Sequence, residues 1–441
     1  MKITFIRPSI TGGRAHDAME PLVFAILAAL TPGDVELSFF DERIEPLPEC
    51  DEHRTDLVAL TVETYTARRA YQIASSYRRA GVPVVLGGYH PTFVPDEALQ
   101  YADSVVIGDG EGVWPQIVAD ARAGKLRPLY RNGQLPSLAG LRLERGIFRR
   151  KRYQPVAPVQ YGRGCRYACD FCSIHAFYGS NTRQRPAREV AAEIERLGRR
   201  FVLLVDDNLF VDPAKAEELF RALAPLGIRW GCQVSIDVAA DERLLTLMEH
   251  SGCIAALIGF ESLDEESLDQ MNKRWNLKHG SYPAVVRRFQ DHGIMIYGSF
   301  VFGYDHDTPD IFDRTVDLAL ESKFFLVNFA PLMPTPGSRL YDRLKRENRL
   351  IFDHWWLDAD YRYGDATFRP ARMSARDLTS GCVRARWQFY RYASILKRAV
   401  ERDTNCRSAG RLGIYLLANL ISRRELDQKL GQPLGRPGPV A

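Results

Sequence analysis

Cys165, Cys169 and Cys172 form a Cys-x-x-x-Cys-x-x-Cys run inside the segment YGRGCRYACDFCSIHAFYG. Three thiolates within eight residues can wrap one side of an iron–sulfur cube, and with no fourth cysteine nearby one iron keeps an open coordination position. An open position is a catalytic feature, because a substrate or cofactor can occupy it. The alternative is zinc, which prefers four closed ligands and finds only His175 nearby as a fourth. Cys50, Cys232, Cys253, Cys382 and Cys406 stand singly and read as buried or incidental thiols.

Such a loop needs a rigid frame. From Pro158 to Pro334 the chain alternates strand-like runs at Val159–Tyr161, Phe201–Val205, Arg229–Val234, Ile254–Phe260, Ile294–Phe302 and Phe325–Ala330 with helical patterns. Six strand–helix units predict an open or partial barrel rather than a closed eight-fold one, with its chemistry at the carboxyl ends of the strands. The cysteine loop follows the first strand, and polar residues follow the others: Asp206-Asp207-Asn208, Ser235 and Asp237, Glu261 in IGFES, Gly303 in GSFVFGYDHDT and Pro334 in APLMPTPGSRLYD. The first group can receive an ammonium or ribose hydroxyls, while Asp212 is the better cap for the helix that follows. Glu261 can accept from a ribose or an amino group, and glycine at a strand end often marks a ligand lying close.

Residues 1–126 carry a second alternating pattern, with strands at Ile3–Ile6, Val35–Phe40, Leu57–Thr61, Val82–Leu86 and Ser104–Ile107, which predicts a doubly wound, Rossmann-like parallel sheet. Gly87-Gly88-Tyr89-His90 and the Gly108-Asp109-Gly110-Glu111-Gly112 loop lie where such sheets bind ligands. Ser9–Gly13 and Thr61–Thr64 lie on the opposite side. GDGEG lacks the Gly-Lys-Ser/Thr of a phosphate loop, and its carboxylates would repel a phosphate. Residues 127–157 read as a linker with a solvated RRKR run, 158–340 as the partial barrel, 341–430 as a helical, arginine-rich substrate-shaping region and 431–441 as a disordered tail.

The 441 residues carry a net charge of +4, too little over this length to argue for nucleic-acid binding. No run reaches the roughly 18 to 20 apolar residues that span a bilayer, and the first residues lack signal-peptide features, so a cytoplasmic location is expected. Ile414, Leu417, Leu420 and Ile421 make one apolar helix face flanked by Arg407, Arg411, Arg423 and Arg424. That face is expected to pack on the barrel; the alternative is peripheral contact with a membrane surface.

The cysteine loop after the first strand of a six-unit barrel, with Phe171 and the flanking glycines, resembles the radical S-adenosylmethionine enzymes. The resemblance implies that Cys165, Cys169 and Cys172 are the catalytic ligands of a [4Fe–4S] cluster, whose open iron binds the amino and carboxylate groups of S-adenosylmethionine. It places Phe171, Asp206, Asp207, Asn208, Ser235, Asp237, Glu261, Gly303 and Pro334 around that cofactor. The first domain resembles the cobalamin(B12)-binding domain of one class of these enzymes, which implies corrin contacts from Ser9, Thr61, Gly87, Gly88, Tyr89, His90, Gly108, Gly110 and Glu111. One departure is plain: the Asp-x-His-x-x-Gly motif that supplies a histidine to cobalt is missing, since His16-Asp17 has the wrong order. The class implies cobalamin-dependent C-methylation of a small-molecule or lipid-like metabolite, with flavodoxin or ferredoxin as electron donor and no nucleic acid. The alternatives are a non-methylating oxidoreductase or cyclase with a vestigial first domain and, more remotely, a non-catalytic Fe–S or zinc protein.

Overall fold

The computed structural model describes residues 1–50, 54–438 and 440. The apolar runs of the first domain become β1 (Lys2–Arg7), β2 (Glu36–Asp41), β3 (Leu57–Thr61), β4 (Val84–Gly87) and β5 (Ser104–Ile107), all parallel. A strand such as LVALT is buried on both faces, as a parallel sheet covered by helices on each side requires. A sixth strand, β6 (Leu129–Arg131), completes the order β2-β1-β3-β4-β5-β6. The order reverses between β1 and β3, and the carboxyl ends of the strands open a crevice there.

β6 corrects the linker expectation. Tyr130 and Phe148 are apolar residues in an arginine-rich stretch, and both bury in the first domain's core, Phe148 meeting Phe39 edge-on at 5.5 Å. Of the RRKR run, Lys151 leaves solvent to donate to the carbonyl of Phe39 at 2.7 Å.

The barrel begins with β7 (Ala157–Val159). A short antiparallel pair, β8 (Gly162–Arg163) and β9 (Arg183–Gln184), then encloses the cysteine loop. β10 (Phe201–Leu204), β11 (Arg229–Val234), β12 (Cys253–Glu261), β13 (Met295–Phe302) and β14 (Leu326–Pro331) follow, giving a parallel sheet ordered β14-β13-β12-β11-β10-β7. Alternate residues divide the faces. Ile296, Phe300 and Phe302 are buried under the outer helices, while Tyr297, Ser299 and Val301 line the partly open inner face.

Six strands leave β14 with a free edge, and unpaired carbonyls there are a liability unless covered. Side chains cover it: the Arg386 guanidinium donates to the carbonyl of Phe329 at 2.6 Å, Tyr390 to Val327 at 2.9 Å and Asn419 to Phe325 at 3.1 Å. These come from the helices Ala375–Tyr390 and Ala409–Lys429, with Tyr392–Ala399 between them. The last helix packs through Tyr415 and its neighbours Leu412 and Leu416 against Ile254, Met295 and Phe325. Leu417 and Leu420, expected on the packed face, are exposed instead.

The C-terminal region is not helical throughout. Residues 347–374 form a wrapping segment whose Trp355, Trp356 and Tyr361 bury against the first domain. The tail is not disordered either. Leu434 is 1% exposed, the amide of Gly435 donates to Ile10 at 2.7 Å, and Arg68 donates to the carbonyl of Gly438 at 3.0 Å. One apolar side chain and a run of main-chain partners give the Gly/Pro-rich end a place to dock.

Candidate functional site

The cysteine loop leaves the barrel at the carboxyl end of β7 and is pinned on both flanks. Gly164 adopts φ +90°, and a Cβ there would lie 2.0 Å from the carbonyl of Asn181, so only glycine lets the chain turn before Cys165. Asp206 accepts from the amides of Tyr161 (2.8 Å) and Gly162 (2.9 Å), and Asp207 from that of Gly164 (2.7 Å). On the other flank the amide of Asp170 donates to Met271, Tyr167 stacks on Trp275 at 3.6 Å, and Arg166 and the Tyr167 hydroxyl converge on Asp237. Asp206, Asp207 and Asp237 were expected to meet a ligand. The hydrogen bonds they make go to the loop that carries the cysteines and its lead-in, while Asp206 Oδ2 and Asp237 Oδ1 are buried without a partner. Asp212 caps its helix as expected, accepting from Ala214 and Lys215.

Two of the expected residues, Asn208 and Glu261, lie beside the thiols, and Ser235 holds Asn208. Asn208 donates its amide to the Cys165 sulfur at 3.6 Å and to Ser235 at 3.1 Å, and it accepts from the Ser235 amide at 3.2 Å. Glu261, at φ +66°, binds Lys273 at 2.7 Å. Lys273 was not foreseen; nothing in the sequence singles out a lysine twelve residues after Glu261, and only folding buries the pair next to Cys169. Phe171 is half-buried, 6.5 Å from the ring of Tyr304. A Cβ on Gly303 would lie 2.8 Å from the Leu378 side chain, and the Pro334 carbonyl accepts from Trp355.

Burial pushes the Cys169 thiol up to about 12, with Cys165 and Cys172 opposing its ionisation and Lys273 favouring it. Burial raises the Cys172 thiol too, so holding these two sulfurs as thiolates calls for a cationic group beside them. Among the described residues no three His, Cys, Asp or Glu side chains converge on a single-ion position. Three thiols that leave one iron open suit a cube, whereas a closed zinc site would need a fourth ligand such as His175.

A cavity of about 430 Å³ lies between the carboxyl ends of the first sheet and the barrel. Thr61, Gly87, Gly88, Tyr89, Gly108, Gly110 and Glu111 line it, as expected. Gly88, at φ +107°, leaves no room for a side chain, since a Cβ would lie 2.7 Å from the carbonyl of Val62. Two expected residues are absent from the lining. Ser9 donates to the carbonyl of Gly13, and His90 is fully buried, its ring 3.1 Å from Glu97, which also binds Tyr71 and Trp356. The missed lining residues include Arg7, Arg43, Phe24, Trp114 and Arg163.

The carboxylates of GDGEG are neutralised by the barrel. Asp109 accepts from Arg163 at 3.0 Å, Arg183 at 2.7 Å and Tyr178 at 3.1 Å, and Glu111 accepts from Arg163 at 2.5 Å. Arg163 stands two residues before Cys165, so the cavity and the cysteine loop share a wall. Apolar sides from Phe24, Leu27, Val85, Val106 and Trp114, with glycine backbone at the strand ends, suit a broad apolar-faced ring such as a corrin. Among the described residues no histidine lines the cavity.

Residues 9–118 match the B12 binding domain, residues 159–319 the Radical SAM superfamily, and residues 338–412 a domain of unknown function, DUF4070. The bacteriochlorophyllide d C-12(1)-methyltransferase of Chlorobaculum tepidum is 30% identical over 396 residues, covering 87% of this chain and 86% of that protein. The C-8(2)-methyltransferase of the same organism is 26% identical over 352 residues, covering 76% and 78%. The anaerobic magnesium-protoporphyrin IX monomethyl ester cyclase of Rubrivivax gelatinosus is 26% identical over 452 residues, covering 91% and 80%. Among solved structures, the cobalamin-dependent S-adenosylmethionine radical enzyme OxsB gives a TM-score of 0.65 at 13% identity, covering 96% of this chain and 72% of that one. The radical S-adenosylmethionine methyltransferase TsrM from Kitasatospora setae gives 0.61 at 17%, covering 78% and 75%. At these identities the two structures share the fold.

Proposed function

The chain belongs to the radical S-adenosylmethionine enzymes that carry a B12-binding domain, and from that membership we propose that it methylates an unactivated carbon of a small or lipid-like molecule. Methyltransferase is the activity named for relatives aligned over most of both chains. Bound here, the [4Fe–4S] cluster, S-adenosylmethionine and cobalamin supply reductive cleavage, hydrogen abstraction and the methyl group. The chain's own residues hold and shield. Cys165, Cys169 and Cys172 are the cluster ligands, Asp206 and Asp207 fix the loop's main chain, and Asn208, Ser235, Glu261 and Lys273 are the polar groups offered to S-adenosylmethionine. The buried walls keep water away from a carbon-centred radical, which exposure would quench.

Arg163 is the observation that carries this assignment. It lines the interdomain cavity, is held by Asp109 and Glu111 of the first domain, and directly precedes the cysteine loop. The test is anaerobic reconstitution with iron, sulfide and hydroxocobalamin, followed by metal analysis. About four irons and about one cobalt per chain are expected. Four irons without cobalt would overturn methyl transfer and favour the oxidoreductase or cyclase reading, which the similarity to the cyclase supports.

An electron donor such as flavodoxin or ferredoxin is part of the proposal, and exposed Arg166, Arg274 and Lys278 beside the cysteine loop suit an acidic carrier. So is peripheral membrane contact. No helix among the described residues is long and apolar enough to cross a membrane. Yet Tyr392, Leu396, Val400, Leu417 and Leu420 are exposed on two packed helices, among exposed Arg391, Lys397, Arg402, Arg407 and Arg424. Flotation with phosphatidylglycerol vesicles but not with phosphatidylcholine vesicles is expected, and loss of flotation in Leu396→Glu/Leu417→Glu would assign it to this surface.

A further inference from the structure

The open side of the six-stranded barrel, at the free edge of β14, holds a second cavity of about 170 Å³. Tyr297 and Asn328 enter it from the inner faces of β13 and β14, Tyr363 from the wrapping segment, and Arg386 from the helix that covers the β14 edge. Up the same inner face, Ser299 and Val301 lead toward the strand ends where the cysteine loop lies.

The charges around this cavity are settled except at Arg386. Lys429 pairs with Asp17 at 3.0 Å and with Glu425 at 2.7 Å, and Glu425 also accepts from the amide of His16 at 2.6 Å. Arg386 is 6% exposed, its Nε donates to the carbonyl of Phe329, and its Nη1 is buried without a partner. No carboxylate among the described residues lies in ion-pair contact with it. A guanidinium taken out of water without an anion is costly, by several kcal/mol per ion, and its planar fork matches a carboxylate. Burial holds the Tyr297 hydroxyl well above its usual range, so it stays protonated and able to donate. Val327, Ile421, Leu426 and Leu430 complete the wall with apolar surface.

We propose that this cavity anchors the substrate by a carboxylate, with Arg386 as its counter-ion and the apolar body of the substrate running along the inner face toward the cysteine loop. A single unpaired cation beside Asp17 and Glu425 matches one negative charge and disfavours a phosphate dianion. The inference rests on the methylase reading for what the anchored molecule is, and on this cavity alone for its carboxylate.

The test uses the purified full chain and three probes, sodium hexanoate, hexanamide and sodium acetate, titrated while thermal unfolding is followed. Saturable stabilisation by hexanoate is expected, with hexanamide and acetate each at least about tenfold weaker, since one loses the charge-assisted hydrogen bonds and the other the apolar contact. Arg386→Gln should weaken hexanoate at least about tenfold, and Arg386→Lys should retain part of it. If Arg386→Gln unfolds because the β14 edge loses its cover, Tyr363→Phe and Asn328→Ala probe the opposite walls and should each weaken hexanoate. Equal binding of hexanoate and hexanamide overturns the carboxylate site, and equal binding of acetate and hexanoate overturns its assignment to a substrate. Iron and cobalt measured on the same samples keep the readings apart: selective hexanoate binding without cobalt uptake would spare this site and sink methyl transfer.

Discussion

Asp206 offers a perturbation whose sign and pH dependence both follow from its surroundings. Its carboxylate is 4% exposed; one oxygen accepts from two amides and the other, Oδ2, is buried without a partner. Burial, reinforced by Asp207, outweighs the two amides and Arg185 and pushes the carboxyl up to about 7. The unfolded chain ionises this group near 3.9, so between about pH 4 and pH 7 the folded protein holds a proton that the unfolded chain has released. Stability therefore falls as pH rises through that window and is level above it. At about 1.4 kcal/mol per unit the full span is worth about 4 kcal/mol, and partial hydration of the site brings a realistic figure to about 2–4 kcal/mol. Asp206→Asn keeps an oxygen for the two amides and never ionises. At pH 8 it should melt above the parent chain by about 4–16 °C, taking about 2–4 °C per kcal/mol for a barrel of this size. At pH 4.5 the gap should shrink to a degree or two, about 0.5–1 kcal/mol. The assay is a paired thermal scan of the full chain across that pH range. A variant less stable than the parent by the same amount at both ends would refute the reasoning, because it would mean the native state prefers the carboxylate.

Three further outcomes are expected. Asp109→Ala leaves Arg163 and Arg183 buried with fewer partners, and a double-mutant cycle with Arg163→Ala should give a coupling of about 2–3 kcal/mol; additivity within about 0.5 kcal/mol would show that the pair does not join the domains. Gly88→Ala places a Cβ 2.7 Å from the Val62 carbonyl at a positive φ, so it should cost about 1–3 kcal/mol and lower cobalt uptake; wild-type cobalt content would remove this turn from the cavity's design. Leu434→Ala should destabilise the chain by about 2–3 kcal/mol and speed proteolysis of the tail, whereas an unchanged cleavage rate would contradict its docking.

The strands were legible because their signals are local. A run such as VVLGG or FVLLV declares its element within a few residues, and six such runs with a cysteine loop after the first can only be arranged in a few ways. The loop itself is local, since three cysteines within eight residues are read directly from their spacing. Side-chain direction was not legible. Asp206 and Asp207 stand at the expected strand end, yet bind main chain on the flanking loop; His90 stands at the expected turn, yet turns under the sheet to Glu97. A shift of one residue or one rotamer exchanges a ligand-facing group for a buried one, and no spacing rule reports it.

By itself, then, the sequence determined two parallel sheets in series, a three-thiol loop at the mouth of the second, and glycine turns at the mouth of the first. Tertiary structure alone decided the pairings that span long stretches of chain: Arg163 with Asp109 and Glu111, Lys273 with Glu261 beside Cys169, the tail against β1's loop, and Arg386 at the open barrel edge without an anion. Periodicity records which face of an element is apolar. Which distant charge a buried guanidinium meets depends on how whole elements pack, and that information is spread over the entire chain.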